Sequence, residues 1–232
     1  MQSVSPASLP ALLARVPLFR RLSQTELTDL AGRARVQNFA PGSVVFERDD
    51  PGESLCVILS GLVKIYLSSA EGQEAVLVIL KTGEFFGELA LLDGEPRSAS
   101  ALAMEPTIIM SVYREQFARF IREHPDAALQ MFFVISQRLR QADNVIADVA
   151  FLDLPTRVAK KLLELASNFG RKDQGEIAID LRLRQQDFAG MVNASRESVN
   201  RVLVALSEEG LIRIDRQRIT ILDPLKLEDH AG

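Results

Sequence analysis

Short apolar runs separated by polar turns fill the first half of the chain. Leu55 to Leu59, Val63 to Leu67 and Val76 to Leu80 are rich in β-branched residues, and the dipeptides Pro41-Gly42, Pro51-Gly52, Ser60-Gly61, Glu71-Gly72, Thr82-Gly83 and Asp93-Gly94 recur every nine to eleven residues. That rhythm predicts many short antiparallel strands folded into a β-roll. Ser100 to Ala103 and Ile108 to Val112 predict two further strands, and Glu115 to Ile121 turns helical. From Pro125, a suitable first-turn residue, to Asp153 there is neither Gly nor Pro. One long helix is expected there, about 40 Å at ~1.5 Å per residue. Along it Leu129, Phe132, Ser136, Leu139, Asp143, Ile146 and Ala150 fall at spacings of three and four, the stripe of a coiled-coil seam. The stripe fits packing on the chain's own roll or self-association, and the length favours self-association. Pro155 blocks simple continuation, so Phe151 to Leu154 is a hinge candidate.

Beyond the hinge the period stays helical but the elements shorten. Phe188, Met191 and Val192 give one short helix an apolar face; Val199, Val202, Leu203 and Leu206 give the next one another. Two helices therefore share a core across a tight turn. Ser195 is a suitable N-cap for the second, with Glu197 in its first turn. Its opposite face carries Arg196, Glu197, Asn200 and Arg201, donors and an acceptor suited to base edges, although solvated surface charges would look the same. Leu211 to Ile214 and Ile219 to Leu222, around Asp215 to Arg218, predict a hairpin in the place of a wing.

Composition sharpens this. At 232 residues and 47% hydrophobic, the chain is long enough for two cores. The net charge of -4 argues against nucleic acid until it is divided: 14 Lys+Arg against 19 Asp+Glu through Leu154, then 13 against 12 from Pro155 onward. The acid excess belongs to the first part. Cys56 is the single cysteine, and beside it stand only His124 and His230, so neither a disulfide nor a local metal cluster is expected. No apolar stretch approaches the roughly 20 residues a bilayer needs. Met1 to Pro10 lacks the basic start and apolar centre of a secretory signal, so a cytoplasmic protein with no membrane partner is expected. No nucleophile-and-base or metal constellation suggests an enzyme.

The most specific segment runs from Phe85 to Ala99: Phe-Phe-Gly-Glu-Leu-Ala-Leu-Leu-Asp-Gly-Glu-Pro-Arg-Ser-Ala. Gly87 lets backbone approach a ligand, the amides of Glu88 to Ala90 open a small helix suited to an anion, and Arg97 can complete a phosphate clamp. On residue chemistry alone, an ordinary Gly-Glu turn beside a surface Arg is the favoured reading over phosphate binding. The segment nevertheless resembles, nearly residue for residue, the phosphate-binding cassette of cyclic-nucleotide-binding domains. The resemblance implies that Gly87, Leu89 and Ala90 hold the cyclic phosphate, Glu88 the ribose 2'-hydroxyl, and Arg97 with Ser98 the exocyclic oxygens. The second segment, Gln185 to Leu203, is similar to the helix-turn-helix of the cyclic-AMP receptor protein (Crp/Fnr) family of transcription regulators, whose recognition helix carries Arg-Glu-(Ser/Thr)-Val-x-Arg; here it reads Arg196-Glu197-Ser198-Val199-Asn200-Arg201. The implied DNA-binding set is Gln186, Ser195, Arg196, Glu197, Ser198, Asn200 and Arg201, with the two arginines on guanines and Glu197 on a cytosine amino group. Asn193 stands where the family commonly has Gly, and Asn tolerates αL.

The resemblance implies an α+β fold: a cyclic-nucleotide-binding β-roll over residues 1–124, a dimerisation helix and hinge over 125–154, and a winged helix-turn-helix over 155–232. The implied function is a non-enzymatic, homodimeric regulator of palindromic double-stranded DNA sites, with RNA polymerase a candidate partner. Cyclic AMP is the first-choice effector, and no metal is expected. The alternatives are a paralogue answering cyclic GMP or cyclic di-GMP, or one that binds DNA constitutively. Where the family places a Thr and a Ser or Asn against adenine, this chain has Ala142 and Asp143. A carboxylate suits guanine's paired N1-H and N2-H2 better than adenine's lone amino group, which makes cyclic GMP the rival.

Overall fold

The computed structural model describes residues 8–173 and 175–232. Residues 1–7, most of the segment that argues against a secretory signal, lie outside it. The chain divides into two compact units, Met1–Leu67 with Leu77–Leu139 and Ser68–Val76 with Arg140–Gly232.

Along the first part of the chain, α1 (Leu9–Leu13) and α2 (Gln24–Arg33) precede eight strands: β1 (Arg35–Phe39), β2 (Val44–Phe46), β3 (Ser54–Ser60), β4 (Leu62–Ser68), β5 (Glu74–Lys81), β6 (Phe85–Phe86), β7 (Ser100–Ala103) and β8 (Thr107–Tyr113). A short helix, α3 (Glu88–Asp93), follows β6, while α4 (Arg114–Glu123) and α5 (Pro125–Phe151) follow β8. The strands form two four-stranded sheets, ordered β1-β8-β3-β6 and β2-β7-β4-β5, the first antiparallel throughout and the second antiparallel at β2/β7 and β7/β4. The apolar run of β3 is continuous because both its faces are covered. Leu55, Val57 and Leu59 pack with Leu13, Phe19, Leu27, Phe117, Phe120 and Met131 of the helical layer, whereas Cys56 and Ile58 join Val63, Leu80, Phe86, Ala101 and Ile109 between the sheets. Neither α1 nor α2 is expected from the apolar pattern. The start of α2 is nonetheless set locally by a capping box, Ser23 N–H donating to Glu26 at 2.7 Å while Ser23 Oγ accepts from Glu26 N.

The long helix ends at Phe151, two residues before its expected end, because Asp153 turns outward to cap the next helix and accepts from Thr156 N–H at 2.9 Å. Its stripe is exposed in the single chain: Leu129, Phe132, Leu139 and Ile146 are 61–69% accessible.

The remaining elements are α6 (Leu154–Phe169), β9 (Gly170–Asp173), β10 (Glu176–Ile179), α7 (Gln185–Met191), α8 (Arg196–Glu208), β11 (Ile212–Asp215), β12 (Arg218–Ile221) and α9 (Pro224–Ala231). The four strands form one sheet ordered β11-β12-β10-β9. Val158, Ala159, Leu162, Leu165 and Ala166 line the buried face of α6. Phe188 and Met191 of α7 and Val192 beyond it are buried, as are Val199, Leu203 and Leu206 of α8, and Asn193 takes φ 50 in the turn between these helices. Tight geometry there demands the left-handed region, which Asn enters at low cost. The hairpin differs from expectation in its loop. Asp215 and Arg218 pair across the ladder, leaving a two-residue turn of Arg216 and Gln217 with Arg216 at φ 56. Among the described residues, no helix is long and apolar enough to cross a membrane.

Candidate functional site

Phe85 and Phe86 anchor the cassette by entering different cores, Phe85 the helical one and Phe86 the one between the sheets. The chain then turns at Gly87, whose φ of +77 favours glycine. A Cβ there would stand 2.3 Å from Arg97 Nη1, so Gly87 also makes room for the arginine. Arg97 is buried. Its Nη1 donates to Gly87 O at 2.8 Å, its Nη2 to Ser54 Oγ at 3.3 Å, and its guanidinium lies 4.2 Å over the Phe46 ring. Its Nε has no hydrogen-bond partner.

Glu88, the first residue of α3, is buried too, and Oε1 accepts from Arg138 Nη1 at 2.7 Å while Oε2 has no partner. Arg138 of α5 also donates to Phe85 O and lies over the Phe85 ring. At the other end of α3, Arg114 donates to Ala90 O at 2.8 Å and Leu91 O at 2.6 Å. A buried acid and a buried base, each with one idle polar atom, thus flank a helix start whose first amides have no intrahelical acceptors. Such a set can take a hydroxyl and an anion together. Ala90 is buried, while Leu89 and Ser98 are exposed; Ala142 and Asp143 stand four and five positions after Arg138 on α5, both exposed. Arg138, Ser54, Phe46 and Arg114 are not marked by the local sequence. The signal available was indirect: a Glu destined for burial needs a cationic partner. Below the cassette, burial pushes the Cys56 thiol up, against the pull of Arg97.

In the second unit, α7 and α8 present one polar face. Ser195 Oγ accepts from Ser198 N–H at 3.2 Å, the expected cap, and Arg201 Nη2 donates to Ser198 Oγ at 3.1 Å. Arg196 Nε donates to Gln185 Oε1 at 3.2 Å, and Gln185 Nε2 donates to Asn200 Oδ1 at 2.9 Å. Gln186, Glu197, Asn200 and Arg201 are all exposed. Behind this face, Arg184 is held further toward its charged form by its hydrogen bond to buried Asp187. Arg157 of α6 donates to Val192 O at 3.2 Å and to Leu152 O at 2.8 Å, tying the turn before α8 to the end of α5.

Comparison with known proteins matches both halves. Residues 36–124 fit the profile of the cyclic nucleotide-binding domain, and residues 156–230 that of the Crp-like helix-turn-helix domain. The chain is 34% identical over 220 residues to the CRP-like cAMP-activated global transcriptional regulator of Mycobacterium tuberculosis, covering 95% of this chain and 98% of that protein. It is 34% identical over 215 residues to the cyclic AMP receptor protein of Thermus thermophilus, covering 93% and 96%. Among solved structures, the c-di-GMP responsive global regulator CLP of Xanthomonas campestris superposes with a TM-score of 0.71 at 25% identity, over 83% of this chain and 95% of that one. With a cyclic-nucleotide-binding domain and a DNA-binding helix-turn-helix matched in order over nearly its whole length, the chain belongs to the CRP/FNR family of transcription regulators.

Proposed function

We propose that the protein is a homodimeric regulator that binds cyclic AMP in the cassette and palindromic DNA through α8 of both protomers. The nucleotide domain is residues 1–124, the dimerisation helix and hinge 125–154, and the DNA-binding domain 155–232. The observation that carries the ligand reading is the pair of buried idle atoms, Glu88 Oε2 and Arg97 Nε. Buried polar groups without partners are costly, and a cyclic nucleotide supplies what each lacks. Its ribose 2'-hydroxyl donates to Glu88, and its phosphate meets Arg97, Ser98 and the amides that follow Gly87, through Leu89 and Ala90. Arg138 holds Glu88 in place through Oε1. The names of the Mycobacterium and Thermus relatives favour cyclic AMP. Asp143, exposed on the seam stripe beside Ala142, favours cyclic GMP as the second reading. For DNA, Arg196 and Arg201 take guanines and Glu197 a cytosine amino group, while Asn200 adds a further base contact and Gln186, Ser195 and Ser198 face the backbone. Through the DNA-bound dimer, RNA polymerase is the expected downstream partner.

Calorimetric titration of the purified protein with cyclic AMP, cyclic GMP and cyclic di-GMP tests the ligand reading. One cyclic AMP per protomer, bound more tightly than the other two, is expected. Binding of none, with DNA affinity intact, overturns the effector assignment and leaves a constitutive regulator.

A further inference from the structure

Gln185 stands at the first turn of α7, outside the segment whose chemistry suggests base contact, yet it is the residue that joins the readers on α8. Its side chain touches Arg196 at 3.2 Å and Asn200 at 2.9 Å. The direction of this chain of hydrogen bonds follows from the donors available. A guanidinium only donates, so the Gln185 oxygen faces Arg196, its amide nitrogen faces Asn200, and Asn200 answers with its carbonyl oxygen. Two consequences follow. Arg196 has its Nε engaged and its terminal nitrogens left as the fork that meets guanine O6 and N7 end-on. Asn200 has its oxygen turned toward α7 and its amino group left outward.

Resting on the proposal that α8 reads the major groove, we infer that Gln185 is a positioning residue that sets base specificity, by presenting Asn200 to DNA as a donor. An unrestrained Asn pairs side-on with adenine, accepting from N6 and donating to N7. With its oxygen held by Gln185, Asn200 instead favours bases that offer acceptors, guanine through O6 and N7 or thymine through O4. The same bridge couples the two positions, because Arg196 at the Gln185 oxygen fixes which end of the amide faces Asn200.

Gln185→Glu inverts the polarity without changing size. A carboxylate still accepts from Arg196 but cannot donate, so it accepts from the Asn200 amino group and turns the Asn200 oxygen toward the DNA. Selection from a randomised double-stranded DNA library, read by sequencing, tests this with the full-length protein. The wild type is expected to select guanine or thymine under Asn200, and Gln185→Glu adenine or cytosine. The relative enrichment should change by about tenfold, the scale of a side-chain-to-base contact, while the guanine under Arg196 is retained. Gln185→Ala is expected to flatten the preference at both positions. Because Gln185 is exposed, these variants keep the fold, and unchanged circular dichroism melts confirm it. Asn200→Ala supplies the control: in that background Gln185→Glu should no longer shift the base, and a shift that persists overturns the bridge. A palindromic site selected identically by wild type and Gln185→Glu overturns the inference and leaves the DNA-binding reading standing. No sequence selection by the wild type overturns both.

Discussion

Arg97 sits between an aromatic ring, a backbone carbonyl and a serine hydroxyl, all preset, and its Nε has nothing to bind. Preorganisation of this kind makes the side chain worth more to a ligand than a mobile surface arginine. Arg97→Ala should weaken cyclic nucleotide binding by about 2 kcal/mol or more, roughly thirtyfold, since a charge-assisted contact to a sequestered phosphate is lost. Undiminished calorimetric affinity removes the cassette assignment. Arg138 answers a different need. Glu88 is buried, and taking Arg138 away leaves both its oxygens unpaired, so Arg138→Ala should lower stability by about 1–3 kcal/mol in denaturant unfolding. In Glu88→Gln the charge is gone, and adding Arg138→Ala there should cost less; equal costs in the two backgrounds exclude the pair as the cause. Gly87, Glu88 and Arg97 were legible in the sequence because the backbone gathers them within one loop. Arg138, Ser54 and Phe46 were not, because they arrive from α5, β3 and β2, and no local spacing encodes a partner 43 or 50 residues away.

At the level of elements, legibility follows how much one stretch can bury by itself. The β3 run was readable because both faces are covered; β1 and β2 were not, being half-exposed edges with no run of their own. The β9–β10 hairpin likewise has a single fully buried side chain, Ile179, so its pairing is decided by the sheet it joins. The break between α5 and α6 was placed by Pro155, but its size depends on Asp153. Backbone and side-chain hydrogen bonds from Thr156 hold the Asp153 carboxyl below the usual carboxylate range. A lowered folded value means that the cap's contribution is present above the unfolded value of about 3.9 and fades as pH falls through the folded one. Asp153→Ala should therefore melt below the wild type at neutral pH, with the gap closing in acid. Asp153→Asn should retain most of the neutral-pH stability, because Asn caps without a charge. A melting gap between Asp153→Ala and the wild type that is independent of pH rules out the charged cap.

At the scale of the whole molecule, the proposed dimer brings a second copy of α5 against the first. Leu129, Phe132, Leu139 and Ile146 leave large apolar side chains in water along one stripe of α5, more than a lone helix face carries without a partner. Asp143 lies in the same stripe, four residues after Leu139 and three before Ile146. If two such helices meet in parallel, the two Asp143 carboxylates approach near the dimer axis, and like charges brought together oppose association. A nucleobase offering amino or imino protons relieves that repulsion, so ligand and dimer become linked through one side chain: whatever the base contributes to binding, it also contributes to dimer stability. Asp143→Asn removes the repulsion while keeping an acceptor and adding a donor. The ligand-free dimer of Asp143→Asn should accordingly dissociate at lower concentration than the wild type in sedimentation equilibrium. The ratio of cyclic AMP to cyclic GMP affinity should move toward cyclic AMP, because guanine loses the carboxylate that suits its paired N–H groups. Ile146→Glu, which adds a second carboxylate to the stripe, should act in the opposite direction on the dimer constant. An Asp143→Asn protein with the wild-type dimer constant and an unchanged affinity ratio places Asp143 off the seam and the base in other hands.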